Sequence, residues 1–215
     1  MAVTFDAEDS ASDAGGSVTV TLTIASNSSS LTSVTAQGST TNITDMTQDS
    51  IAMTFVHEIQ ANSRTTQQYN EETPVTGVSK AYFCDTDGTS MVHLHVLSVL
   101  GADTLDMIGE NSVSSGSSSN PNDSGTLEQS STYTYEHFFF NSVATTIDSA
   151  NDGQTQRSDL IASYSSFTYT NEGLASGSYT PDYTLSDSKN WNFAWVEVRA
   201  ASKTIYFHLK NLGGY

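Results

Sequence analysis

Apolar and polar residues alternate with a period of two along several stretches of this chain. Over residues 17–24, Val18, Val20, Leu22 and Ile24 alternate with Thr19, Thr21 and Thr23, which predicts a strand with one buried and one wet face. Residues 50–60 repeat the pattern, with Ile51, Met53, Phe55, His57 and Ile59 on one side. Over residues 132–141, Tyr133, Tyr135, His137 and Phe139 share one face and Phe138 and Phe140 the other. Residues 188–201 are apolar on both faces: Trp191, Phe193 and Trp195 point one way, Ala194, Val196 and Val198 the other, until Glu197 and Arg199 interrupt. That is the pattern of a central strand covered on both sides and half wet at one end. Further strands are predicted over 3–6, 31–36, 78–84, 91–100, 178–185 and 204–209, and one or two over 157–170, with a polar loop over 6–16. The turn Asp85-Thr86-Asp87-Gly88 predicts that 78–84 and 91–100 pair as a hairpin. No segment keeps a helical period beyond two turns. Roughly ten strands at this spacing predict an all-β fold, an antiparallel β-sandwich or jelly roll with long polar loops.

Length and composition fit a single sandwich domain over 1–215. The 215 residues can bury a full core, and only 14% of them are charged, which suits strands and polar loops better than exposed helices. Residues 111–131 are rich in Ser, Asn and Gly and are expected to form a flexible low-complexity insertion, because so little apolar surface cannot offset the entropy of ordering it. Residues 202–215 form a short C-terminal extension. The 24 acids against 7 basic residues give a net charge of −17. A surface of that sign repels phosphate backbones and anionic lipids, so neither nucleic acid nor a membrane is expected as a partner. The single cysteine, Cys84, rules out an internal disulfide framework. The first residues show no basic and apolar export signal, and no apolar run is long enough to span a bilayer.

Candidate chemistry is sparse. His93 and His95 are two apart and share a strand face, so they can ligate a metal together if His57 or His137 supplies a third nitrogen. Their companions on that face, Met91, Leu97 and Val99, are apolar, which favours a structural role. Asp85 and Asp87 open like a calcium loop, but the further oxygen ligands and closing Glu of such a loop do not follow. No G-x-S-x-G is present and Cys84 has no evident base partner, so no enzyme and no cofactor are expected. The aromatic set Tyr133, Tyr135, Phe139, Trp191, Phe193 and Trp195 can serve as a subunit interface or a sugar-stacking platform, the first being the commoner use.

Four stretches carry a resemblance: VTFDAEDSAS, LTSVTAQGSTTNITDM, AYFCDTDGTSMVHLHVLSV and GSYTPDYTLSDSKNWNFAWVEVRAA. In this order they resemble a broad group of β-sandwich proteins found in tailed-phage structural modules and in bacterial surface or secreted proteins. The matching residues are Phe5 and Asp6, Ser33 to Thr35 with Gly38, and Asn190, Trp191, Val196, Glu197 and Val198. The chain departs from that group in its polar turn Gln37-Gly38-Ser39 and in the tail beyond residue 202. The resemblance implies a non-enzymatic virion structural protein of a tailed virus, a capsid-associated decoration, head-fibre or turret subunit. It would form a homo-oligomer and pack on other virion proteins, above all the major capsid protein. A virion location also reconciles an extracellular composition with synthesis in the host cytoplasm without a signal peptide. The alternative is a carbohydrate-binding or adhesive surface module that recognises a host-surface glycan.

Overall fold

A strand that is apolar on two faces, as residues 188–201 are, needs a layer on each side. The computed structural model describes residues 2–38, 41–75, 79–130, 132–150 and 153–201, and among them every regular element is a strand. The first half contains β1 (Thr4–Asp13), β2 (Ser17–Thr23), β3 (Ser28–Gln37), β4 (Ile43–Gln48), β5 (Ile51–Ala52), β6 (Thr54–Ala61), β7 (Arg64–Val75), β8 (Ser79–Thr86) and β9 (Val92–Leu100). The second contains β10 (Ile108–Ser118), β11 (Gly125–Leu127), β12 (Thr132–Phe140), β13 (Ile147–Ala150), β14 (Thr155–Ile161), β15 (Ser165–Leu174), β16 (Gly177–Tyr179), β17 (Tyr183–Leu185) and β18 (Lys189–Val198). All ladder pairings between these strands are antiparallel.

The second half repeats the first. The large sheet of the first half has the order β1-β9-β3-β7-β6, and that of the second has β10-β18-β12-β15-β14. The smaller sheet β2-β8-β4-β5 returns as two ribbons, β11-β16 and β13-β17. The strand equivalent to β8 is divided there around Pro181, which has no N–H to give to a ladder. Irregularities repeat as well. The ladder shifts between Phe5 and Ala7 and between Ile108 and Asn111, between Phe55 and His57 and between Gln156 and Ser158. It shifts again between Ile43 and Asp45 and between Ile147 and Ser149. Bulges aim specific side chains and bend strands, so their recurrence at matching places marks two copies of one Greek-key sandwich.

Four layers result. The smaller sheet of the first half covers one face of β1-β9-β3-β7-β6, with Val18, Val20, Leu22, Val34, Tyr82 and Leu94 between them. The two large sheets face each other across Leu31, Leu97, Val99, Tyr133, Tyr135 and Val196. The ribbons seal the last face over Phe138, Tyr183, Trp191, Phe193 and Trp195. Matched residues take matched layers: Val92, Leu94 and Val96 on β9 face outward as Trp191, Phe193 and Trp195 do on β18.

Three expectations need correction. The 85–88 turn does not close a hairpin, because β8 pairs with β2 and β4 while β9 pairs with β1 and β3; the turn carries the chain from one sheet to the other. Residues 6–16 are not a loop up to Gly16, since β1 continues along β9 to Asp13. The stretch 111–131 is not a structureless insertion. Strand β10 runs through residue 118 and β11 follows, because Ser112, Ser114 and Gly116 lie opposite Trp195, Phe193 and Trp191. The rings of β18 supply the bulk there, and small residues on β10 and β11 make room: a Cβ on Gly116 would stand 2.6 Å from Trp191 Cζ2, and one on Gly125 2.6 Å from Trp195 Cζ2. The predicted strand over 204–209 and the extension 202–215 lie outside the described residues.

Candidate functional site

Alternation on β9 puts His93 and His95 on the face opposite Val92, Leu94 and Val96, so both histidines enter the seam between the two large sheets. Across it stand His137 on β12 and Ser166 on β15, all of them buried. The Ser166 hydroxyl lies 2.7 Å from both His93 Nδ1 and His95 Nε2, and His95 Nδ1 is 2.6 Å from Ser158 Oγ. His93 stacks on Tyr164 with ring centres 4.0 Å apart, and His95 lies 5.2 Å from His137. Neither ring nitrogen of His137 has a hydrogen-bond partner among the described residues. Burial pushes His93 down to about 3, with the Arg64 guanidinium adding to the effect. It also pushes His137 down to about 3, helped by His93, and holds His95 well below its ordinary value. All three rings are therefore neutral at pH 7.

The structure thus brings His93, His95 and His137 together but does not arrange them as ligands. The nitrogens that an ion shared by His93 and His95 would need both face one serine hydroxyl. No group of three His, Cys, Asp or Glu residues among the described residues is placed to hold a metal. His57 is elsewhere, between Gln68 Oε1 at 2.6 Å and Asn111 Oδ1 at 3.0 Å.

Asp85 and Asp87 do not face a common ion either. Asp87 binds the neighbouring turn, accepting from Asn42 N at 2.9 Å and Asn42 Nδ2 at 2.7 Å, while Asp85 accepts from Thr86 N at 3.0 Å. The turn is braced by Thr86, whose hydroxyl reaches Gly16 O at 2.9 Å and Gly88 O at 2.8 Å.

The six aromatic candidates are interior. Tyr133, Phe139, Phe193 and Trp195 are 0% exposed, Tyr135 is 1% and Trp191 is 7%, so none offers a face to a sugar. Phe193 stacks on Phe138 at 4.1 Å, and Trp195 meets Tyr179 edge-on at 5.4 Å. Phe139 lies under the Arg64 guanidinium at 5.2 Å, with Tyr164 on the same cation at 4.9 Å. These rings join the halves and seal the outer core.

Two buried carboxylates, Glu136 and Glu197, and a half-buried one, Asp6, also shape the site, and pattern reading missed their role. Asp6, at the bulge of β1, accepts from Ala25 N at 2.8 Å, Ser28 Oγ at 2.9 Å and Ser98 Oγ at 2.7 Å. Glu197, at the bulge of β10, accepts from Glu110 N at 3.0 Å, Glu128 N at 3.0 Å and Gln129 N at 3.2 Å. Each pins the first strand of its half to the loop after the second, so one clamp is built twice with the acid on different strands. Arg199 adds ion pairs to Asp106 and Glu128. Glu197 was expected at a wet strand end, yet it is 0% exposed, because backbone N–H groups replace its water. Glu136 is likewise buried and accepts from Thr134 Oγ1 at 2.8 Å, Tyr179 OH at 2.5 Å and the Tyr183 hydroxyl. Burial, then the Glu136 charge, raises the pKa of both tyrosines. An acid inside an otherwise apolar strand was the available signal for Glu136 and Glu197; for Asp6 it was the Phe5-Asp6 pair.

His93, His95, His137, Glu136 and Glu197 are thus locked into the interior, and what reaches the surface is acidic and polar with a few apolar side chains. Comparison with protein-family models, with curated proteins and with solved structures finds no match to this chain.

Proposed function

We propose that this protein is a non-enzymatic structural subunit of a tailed-virus particle, a capsid-associated decoration, head-fibre or turret subunit. It acts by packing against copies of itself and against other virion proteins, the major capsid protein foremost. The observation that carries this reading is where three of the five large apolar side chains exposed among the described residues lie. Ile51 is 70% exposed, Phe55 52% and Ile161 53%, and they sit on β5, β6 and β14, each at the edge of its sheet. An edge strand presents unpaired N–H and C=O groups, and apolar side chains there favour lateral association. The doubled sandwich, tied together by buried polar groups, supplies a stiff block on which such edges keep their geometry. The resemblance of the strand-bearing stretches to tailed-phage modules supports the same reading.

Light scattering on the eluted protein, together with co-purification with particles, tests it. The expected result is a defined homo-oligomer that sediments with particles and is weakened by Phe55→Lys with Ile161→Lys at unchanged melting temperature. A protein that stays monomeric and instead binds glycans on an array would overturn the packing role and favour the adhesive module.

A further inference from the structure

The seam between the two large sheets has two unlike ends. Beside the 101–107 link it is apolar, with Leu97 and Val99 of β9 against Tyr133 and Tyr135 of β12 and Val196 and Val198 of β18. Further along the same three strands the seam turns polar: His93 and His95 stand on β9, His137 on β12 and Asn192 on β18, all buried. At this far end hydrogen bonds join the halves. Tyr164 OH donates to Thr35 O at 2.6 Å and Met91 O at 3.1 Å, Arg64 Nη2 to Asn141 Oδ1 at 3.1 Å and Asn192 Nδ2 to Ala61 O at 3.1 Å. Among the described residues the chain passes from one half to the other at the link, where Ala102 bridges Ala200. Each half also has a core of its own on the outer side of its large sheet, so parting the sheets at the far end breaks neither sandwich.

The histidines occupy the end away from the link. The His95 and His137 ring centres are 5.2 Å apart, and Ser166 Oγ lies 2.7 Å from both His93 Nδ1 and His95 Nε2. His93 Nε2 and both ring nitrogens of His137 have no partner among the described residues, so the closed seam offers no acceptor to a proton bound there. The charged group facing the cluster directly is a cation, Arg64 of β7. Beyond Ser158 stand Glu8 of β1 and Arg157 and Asp159 of β14. Tyr135 and Tyr164 are held above their ordinary value by burial and stay neutral. Strands β3, β15 and β18 present Ser33, Thr35, Ser166, Thr168, Ala194 and Asn192, none of which titrates. An imidazole released to water titrates near 6.5, so at pH 4.5 each ring favours an opened seam by about 100-fold over the closed one, where burial keeps it neutral.

We propose that acid opens this molecule as a jaw: proton uptake by His93, His95 and His137 parts the two large sheets at their far end. The apolar contacts beside the link are the hinge, and both sandwiches keep their own cores, as cooperative units do in partial opening. This motion goes beyond the packing role and does not depend on it.

Spin labels on the full chain read the motion, with Cys84 left in its buried place. One pair, Thr89→Cys with Ser163→Cys, flanks the Tyr164–Met91 bond at the far end; the other, Ser26→Cys with Ser176→Cys, spans the link end, and all four positions are exposed. As pH falls from 7.5 to 4.5, the far-end pair should gain a longer-distance population that reverts when pH 7.5 is restored. The link-end pair should keep its distance, at unchanged far-ultraviolet circular dichroism. In the full chain carrying His93→Gln and His137→Gln, the longer-distance population at pH 4.5 should shrink several-fold. Distances that lengthen at both ends together would show global unfolding and overturn the proposal. So would a far-end distance that does not change with pH, or opening that persists undiminished in the glutamine variant.

Discussion

Acidification should destabilise this protein through the histidines of the seam, and the size of the effect follows from their burial. His93 and His137 are held down to about 3, whereas an unfolded histidine titrates near 6.5. A depressed histidine pKa means that the folded state keeps the ring neutral while the unfolded chain binds a proton. Its stabilising contribution is therefore complete above about pH 6.5 and is lost as pH falls toward 3. Each ring loses about 1.4 kcal/mol per pH unit in that window, so at pH 4.5 the pair should have lost about 5 kcal/mol, comparable with the whole stability of a marginal domain. His95 works in the same direction. The groups facing the cluster are Ser158, Ser166, Tyr164 and Arg64, with Glu8 and Arg157 beyond Ser158. Glu8, raised by burial, titrates in the opposite sense, and acid also relieves repulsion among surface carboxylates. A comparison isolates the histidine effect: urea unfolding of the wild type and of His137→Leu, from pH 7.5 to 4.5. Below about pH 6.5 the wild type should lose stability relative to the variant, their difference changing by about 1.4 kcal/mol per pH unit. Parallel curves, or imidazole resonances that titrate near 6.5 in the folded protein, would refute the reasoning.

Three substitutions probe the rest of the interior. Trp191→Ala removes a ring packed in the outer core and bonded through Nε1 to Ser118 Oγ at 3.1 Å. It should cost about 3–5 kcal/mol in chemical unfolding, and unchanged melting would return the ring to the role of a surface platform. Gly116→Ala forces a methyl against the same ring and should cost about 1–3 kcal/mol by overpacking; a neutral result would show that β10 can move away from β18. Glu197→Gln keeps the shape but weakens the acceptor of three backbone N–H groups, with an expected loss of about 1.5–3 kcal/mol. Amide exchange at Glu110, Glu128 and Gln129 should quicken with it, and unchanged protection at those amides would argue against the clamp.

Much of the fold can be read from alternation alone. Period-two patterns mark β2, β6, β12 and β18 because each strand puts successive side chains on opposite faces, and doubly apolar β18 is indeed a central strand between β10 and β12. The histidine pair and the aromatic set are equally visible as residues. Alternation cannot say which layer a face meets. Asp-Gly at 87–88 reads as a hairpin by local chemistry, yet β8 and β9 separate into different sheets because each buries an apolar face against a different neighbour. Serine-rich β10 reads as disordered because its own side chains carry little apolar area, and only Trp191, Phe193 and Trp195 across the ladder supply it. The repeat of one half by the other is hidden for a related reason: matched positions keep their layer but not their residue, as Val92 and Trp191 or Leu94 and Phe193 do, since packing conserves filled volume and not identity. The sequence by itself determined an all-β chain, its acidic surface and the strands that form its cores. The tertiary structure decided that those strands stack as two copies of one sandwich, and that three histidines and two acids, Glu136 and Glu197, lie out of reach of solvent. Burial and partner are properties of the space between strands, which no single strand encodes.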